Sequence, residues 1–271
     1  LVFPFRAAFF RDRGVDEQWA PIPSLLGISA VHHHLVRECT RTEVGLILET
    51  GEPRDVHQFA CLLGYGAGTI IPYLVFESLV DMERDHYLPE GLDAQTAEGK
   101  FIKAINKGLL KIFSKMGIST VQSYCGAQIF EAIGLAPDFV DRYFTKTVSR
   151  IAGIGIDTVA QEILAHHERA FPTREGGDDD LDWGGQYQWR RDGEYHLFNP
   201  DTVFRLQHAT RTGRAEIFRE YTEMVNNQAQ HLATLRGLFE IRPAGPPVPL
   251  EEVESAEELF KRFKTGAMSY G

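Results

Sequence analysis

Through the first 170 residues, short apolar runs alternate with segments of helical periodicity, and this alternation limits the chain more than any other feature. Strands separated by helices pair in parallel through crossovers, so the pattern predicts an α/β sheet or part of a barrel. Val44, Leu46, Ile47 and Leu48 make a buried-strand run that stops at Glu49-Thr50-Gly51. In residues 54–63, Val56, Phe59, Ala60 and Leu63 recur at i, i+3, i+4 and i+7, the spacing of one helix face. Gly64-Tyr65-Gly66 stops that helix, because glycine accepts the left-handed cap conformation. Thr69-Ile70-Ile71 reads as the next strand, and Pro72 opens the following helix. Residues 101–116 give the clearest helix, striped by Ile102, Ile105, Leu109, Ile112, Phe113 and Met116 and ended by Gly117. Residues 118–124 read as a strand and 127–133 as a short helix closed by Gly134. Asp157 reads as the cap of a helix running to His167.

Composition changes near residue 172. Glu175-Gly176-Gly177-Asp178-Asp179-Asp180 has the make-up of a solvated linker, which places a domain boundary at residues 172–185. Residues 187–191 and 194–198 flank Asp192-Gly193, a strong hairpin signal. Asn199-Pro200-Asp201 introduces helices, one carrying Ile217, Phe218, Tyr221, Met224 and Val225 at helical spacing. Residues 243–249 are a stiff, proline-rich connector, and the acidic run 251–258 suits the start of a helix through Phe263. The chain starts at Leu1 without a basic leader, and residues 264–271 read like the first strand of something that continues. Both features are expected of an excerpt from a longer polypeptide.

A formal net charge of −10 argues against a nucleic-acid binder that needs a broad basic surface. No apolar run approaches the roughly 18 residues of a membrane-spanning helix. Cys39, Cys61 and Cys125 lie far apart, a reduced, cytosolic pattern and neither a disulfide framework nor a zinc knuckle. His32-His33-His34 fails as a metal site, since neighbours on a helix point about 100° apart and cannot converge on one ion. Only His34 and Glu38 share a face, and His166-His167 fails for the same reason. The turn Thr50-Gly51-Glu52-Pro53-Arg54 stands where a strand hands over to a helix, a place where backbone N–H groups meet ligands in parallel folds. That turn, Gly64-Tyr65-Gly66-Ala67-Gly68 and Gly153-Ile154-Gly155 read either as phosphate cradles or as plain tight turns. Lys103, Lys107, Lys111 and Lys115 form a basic stripe opposite the apolar one, either a solvated face or a docking surface for an acidic partner. No paired carboxylates, nucleophile elbow or Cys/His arrangement stands out.

Several segments, in order, resemble the glutamate synthase large subunit of the NADPH- or ferredoxin-dependent type. They include Ala30-Val31-His32-His33-His34-Leu35-Val36-Arg37, Glu49-Thr50-Gly51-Glu52, Leu62-Leu63-Gly64-Tyr65-Gly66-Ala67 and Pro72-Tyr73-Leu74. Further along come Asn106-Lys107-Gly108-Leu109, Ser114-Lys115-Met116-Gly117-Ile118-Ser119-Thr120, Gln122-Ser123-Tyr124 and Gly126-Ala127-Gln128-Ile129-Phe130. Gly193-Glu194-Tyr195-His196, Leu235-Arg236-Gly237-Leu238 and the stretch from Lys261-Arg262-Phe263 to Gly271 complete the set. Residues 1–11 depart from the family pattern, in which an apolar strand leads into Asp12-Arg13-Gly14.

The resemblance implies that residues 1–176 are the later part of a central domain, an incomplete barrel-like parallel βα unit. It implies that residues 177–271 are a mainly helical lead-in to the FMN-binding synthase domain, ending in its first TIM-barrel strand. Such enzymes release ammonia from glutamine in an amidotransferase domain, pass it through a tunnel and condense it with 2-oxoglutarate. Reduced FMN then delivers a hydride to 2-iminoglutarate, fed by an iron–sulfur cluster. No catalytic or metal-binding residue is assigned within this stretch, and neither cofactor is expected to bind it alone. Ala267, Met268 and Ser269 are assigned to the flavin edge, as strand-end residues of the barrel. Partners would be the amidotransferase and FMN-barrel parts of the same polypeptide and an electron-donating small subunit or ferredoxin, with no nucleic acid and no membrane. The place would be the cytoplasm, or the plastid stroma for a plant-type enzyme. Glu49, Tyr73 and Tyr124, read as strand ends, are candidates for the tunnel wall. Two other readings stand beside this one: an independent α/β-barrel enzyme for a phosphate-bearing ligand, and a noncatalytic module docking through the lysine stripe.

Overall fold

The aliphatic run that predicts a strand does form one, between two parallel neighbours. A computed structural model describes residues 6–172, 183–227 and 232–262, which fall into two units on either side of residues 173–182. In the first unit, β1 (Arg6–Arg11), β2 (Val44–Glu49) and β3 (Thr69–Ile71) make a parallel sheet in that order, with Ala8 opposite Leu46 and Leu48 opposite Ile70. The crossovers are α1 (Ser24–Arg37) and α2 (Val56–Gly64). Asp55 caps α2 by accepting the Gln58 N–H at 2.9 Å. Ile28, Leu46, Leu48, Leu62 and Ala67 join α1, α2 and the sheet in one buried cluster.

Pro72 precedes α3 (Tyr73–Arg84), and the chain returns through α4 (Ala94–Met116). The latter helix starts well before residue 101, because Asp93 accepts the Thr96 N–H at 2.6 Å and caps it there. It ends as expected at Gly117, whose φ of 69° is the left-handed cap. Phe59 and Ala60 of α2 pack against Ile105, Leu109 and Phe113 of α4. The unit then runs through α5 (Val121–Tyr124), β4 (Glu131–Leu135), α6 (Pro137–Tyr143), β5 (Val148–Ile154) and α7 (Ile156–Ala170), with β4 and β5 as a second parallel pair. The unit is therefore mixed α/β with two short parallel sheets and, among the described residues, no closed barrel.

Several local expectations are corrected. Residues 118–124 are not a strand: Thr120 accepts the Ser123 N–H at 3.2 Å and starts the short α5. Residues 127–133 are not a helix, because the chain enters β4 to pair with β5. Gly134, which was to close that helix, lies inside β4 with φ 77°, and Gly153 approaches it so closely that a Cβ would stand 2.2 Å from its carbonyl oxygen. Asp157 sits in the first turn of α7 and not at its cap, which is Gly155; there its charge still suits the helix dipole. Although residues 1–11 depart from the family pattern, Arg6–Arg11 do supply the strand ahead of Asp12.

The second unit holds α8 (Pro200–Thr212), α9 (Ala215–Asn226) and α10 (Ala256–Arg262), with 3-10 turns at Leu235–Leu238 and Leu250–Glu252. Asn199 and Thr202 form a reciprocal capping box at the start of α8. The expected hairpin at Asp192-Gly193 is absent, and residues 183–262 contain no described strand. A two-residue type I′ turn needs positive φ at both central positions, and neither residue has it. The acidic run does supply the start of a helix, with Glu257 and Glu258 in its first turn. Ser255 accepts the Glu258 N–H at 3.3 Å, so the helix begins at Ala256. The strand expected at residues 264–271 lies outside the described residues, as do Phe263 and the whole acidic linker at residues 175–180.

Candidate functional site

All three strands of the larger sheet point their C-terminal ends the same way, which brings Asp12, Glu49 and Thr50, and Pro72 and Tyr73 to one edge. Parallel sheets expose their loops and helix N-termini there, so this edge is where a site is sought first. Thr50 is wholly buried and Ser24, the first residue of α1, nearly so. The Thr50 hydroxyl donates to Asp12 Oδ2 at 2.6 Å. It accepts the Glu52 N–H at 3.2 Å and lies in hydrogen-bond contact with the Ser24 hydroxyl. The Gly51 N–H donates to Asp12 at 3.2 Å, and the Ser24 N–H donates to Glu52 Oε2 at 3.0 Å. Desolvation raises the Glu52 carboxyl above its ordinary range, against the pull of these Ser24 contacts.

A second layer covers this cluster. The Tyr73 hydroxyl is pushed up to about 12, first by desolvation and then by the charge of Asp12 and a hydrogen bond to it. The Arg13 guanidinium stands 5.0 Å over the Tyr73 ring and bridges Glu49, at 3.3 Å, to Glu77. Beside the cluster opens an apolar cavity of about 760 Å³, lined by Asp12 and Ser24 at its polar end and by Trp19, Leu26, Val159 and Ile163 elsewhere.

The turn at Thr50–Arg54 therefore stands where the sequence puts it, but its donors are already in use. Gly51 N–H serves Asp12, Glu52 N–H serves Thr50, and Arg54 N–H donates to Gln58 at 2.7 Å. With Asp12, Glu49, Glu52 and Glu77 nearby and Arg13 tied to two of them, a phosphate would meet net negative charge. The cradle reading does not survive this geometry. Gly153-Ile154-Gly155 likewise serves close strand packing at Gly153 and the cap of α7 at Gly155.

Of the proposed wall residues, the fold brings Glu49 and Tyr73 together through Arg13. Tyr124 is not a strand end: it is fully buried in the core beside Phe113. Ala267, Met268 and Ser269 lie outside the described residues. His32 is buried and His34 exposed, and among the described residues no group of His, Cys, Asp and Glu could hold a metal ion. Lys103, Lys107, Lys111 and Lys115 are all exposed on α4. Sequence reasoning passed over Asp12 and Ser24; the signal lay in Asp12-Arg13-Gly14, an acidic residue at the end of an unrecognised strand.

Comparison with known proteins adds identity to this geometry. A family model described as "Glutamate synthase central domain" matches residues 5–136, and one described as "Conserved region in glutamate synthase" matches residues 196–271. The chain is 45% identical to the glutamate synthase [NADPH] large chain of Bacillus subtilis, over 96% of its own length and 17% of that protein's. It is 42% identical to the glutamate synthase [NADH] of Saccharomyces cerevisiae, over 96% of its length and 12% of the relative's. It is 36% identical to the ferredoxin-dependent glutamate synthase of Pyropia yezoensis, over 96% and 17%. The chain thus spans less than a fifth of the length of these relatives, and within that span it belongs to the glutamate synthase family.

Proposed function

We propose that these residues work inside a glutamate synthase, which turns glutamine, 2-oxoglutarate and reductant into two glutamates, as the structural segment between its amidotransferase and synthase sites. The observation that carries this reading is collinearity: one match at 45% identity runs through 96% of the chain and through both family matches. Residues 1–176 are assigned to the later central domain and 177–271 to the lead-in of the FMN-binding domain. Support comes from the first family match ending at residue 136 and the second starting at 196. Ala267, Met268 and Ser269 are proposed as the flavin edge.

FMN and the iron–sulfur cluster belong to the larger enzyme, where reduced FMN supplies the hydride. The described residues do not fit either group. The strand-end cluster spends its donors internally, and Cys39, Cys61 and Cys125 stand on separate elements. The partners are the amidotransferase and FMN-barrel parts of the same polypeptide and an electron-donating small subunit or ferredoxin. The place is the cytoplasm or plastid stroma; no described helix is long and apolar enough to cross a membrane.

An ammonia passage needs rigid walls whose polar groups neither trap nor protonate the gas. Glu49, held by the Arg13 that it shares with Glu77, and Tyr73, packed under the same guanidinium, are fixed in place, and we assign them to the wall. Tyr124 supports the wall only by packing the core behind it. The test compares glutamine consumed with glutamate formed in the natural polypeptide carrying Glu49→Ala or Tyr73→Ala. The expected result is surplus glutamine hydrolysis with free ammonia appearing in solution. Two glutamates formed for every glutamine consumed in both variants, with no free ammonia, would remove the tunnel role.

A further inference from the structure

Separate from the strand-end cluster is a second cavity of about 270 Å³, lined by His32, His33, Tyr65, Gln128, Lys146 and Thr147 among others. We infer that this cavity binds a small oxyanion, a metabolite headed by a carboxylate or a phosphate. Its walls are built with unusual care. The Arg41 guanidinium donates to His32 Nδ1 at 2.9 Å, to the Val44 carbonyl at 2.8 Å and to the Gly66 carbonyl at 3.0 Å. Because Nδ1 accepts, a neutral His32 carries its proton on Nε2 and is a donor there. Gly66, at φ 122°, is required for this arrangement, since a Cβ would stand 2.7 Å from His32 Nδ1. On the facing wall the Tyr65 hydroxyl and Thr147 hydroxyl are 2.7 Å apart.

Two observations support a ligand at these walls. His33 Nε2 is buried with no hydrogen-bond partner among the described residues, which protein interiors rarely tolerate. Gln128 and Lys146, both lining the cavity, hold φ of 57° and 65°, two of the four non-glycine residues described in the left-handed region. Such strain gathers at sites where the surroundings over-determine the backbone. Charge decides which ligand fits. No lining residue is acidic, and Lys146 supplies a cation. The charges acting on His32 and His33 from behind are those of Arg41 and Arg37, together with His33 on His32. A cationic ligand would be repelled, whereas an oxyanion would accept from the ammonium and from imidazole N–H groups turned toward it. Burial, then the charge of Arg37, disfavours the protonated form of His33 in the free protein, and a bound anion would favour it.

The test is calorimetric titration of the natural polypeptide with succinate and with inorganic phosphate near pH 7, each in two buffers of different ionisation enthalpy. Saturable binding with proton uptake is expected. Lys146→Gln and His33→Phe should each weaken it by about tenfold or more. Binding of succinate alone identifies a carboxylate head, of phosphate alone a phosphate head, and of both their shared chemistry. The inference is overturned if neither probe saturates below about 10 mM. It is equally overturned if binding survives Lys146→Gln unchanged or brings no proton uptake. Should His33→Phe fail to fold, the exposed Lys146→Gln decides alone.

Discussion

Thr50 is the residue on which the strand-end cluster turns, since one buried hydroxyl serves Asp12, Ser24 and the Glu52 N–H together. Thr50→Val keeps the shape and removes the hydroxyl, taking from Asp12 its shortest donor and leaving the Glu52 N–H without an acceptor. It should cost about 1–3 kcal/mol, read from urea unfolding. Asp12→Asn removes the charge that helps hold Tyr73 protonated, so the Tyr73 hydroxyl should ionise below about 12 in a tyrosinate absorbance titration. The sign of the linked stability follows. Between the ordinary tyrosine value of 10.0 and about 12 the unfolded chain has lost its proton and the folded one has not, so stability falls as pH rises through that window. His32 runs the other way. Burial, then the charges of His33 and Arg41, lowers it from 6.5 to about 4, so its contribution is present above 6.5 and lost as pH falls toward 4. A stability profile flat between those values would contradict the buried, Arg41-bound His32. The long-range partnerships, Asp12 with Thr50 and Ser24 with Thr50, are not visible in the sequence, because their members lie 26–38 residues apart and meet only at the strand ends.

At the scale of elements, α4 offers a paired test of local against tertiary rules. Gly99 and Gly108 both sit inside this helix, where alanine ordinarily gains about 0.5–1 kcal/mol. A Cβ at Gly99 would meet nothing within 4 Å, so Gly99→Ala should stabilise by that amount. A Cβ at Gly108 would stand 2.5 Å from Val56 Cγ2 on α2, so Gly108→Ala should destabilise by about 1–3 kcal/mol through overpacking. Adding Val56→Ala should recover part of that loss in a double-mutant cycle by thermal or urea unfolding. The same contrast explains which elements could be read in advance. β2, α2, β3 and the body of α4 bury one face or one run against near neighbours, and their periodicity shows it. β4 and β5 exist because they pair with each other through Gly134 and Gly153, and neither half of that contact signals itself alone.

Across the whole molecule, burial is uneven. Among the described residues, the first unit contains every buried cluster, whereas in the second only Thr202 and Ala209 are buried. Amides of α8 and α9 should therefore exchange with solvent at lower denaturant than those of β2, α2 and α4, as read by hydrogen exchange on the 271-residue chain. Equal protection in the two units would refute that division of stability. The order of motifs along the chain by itself determined the family, the βα alternation of the first unit and the turn after β2, because local periodicity and short contiguous motifs survive in one dimension. Only the tertiary structure decided that this turn's donors serve Asp12 and not a phosphate. It alone decided that Tyr124 lies in the core and that His33 is left without a partner. Hydrogen bonds and charges act over a few ångströms through space, and separation along the chain does not reveal which groups the fold will bring that close.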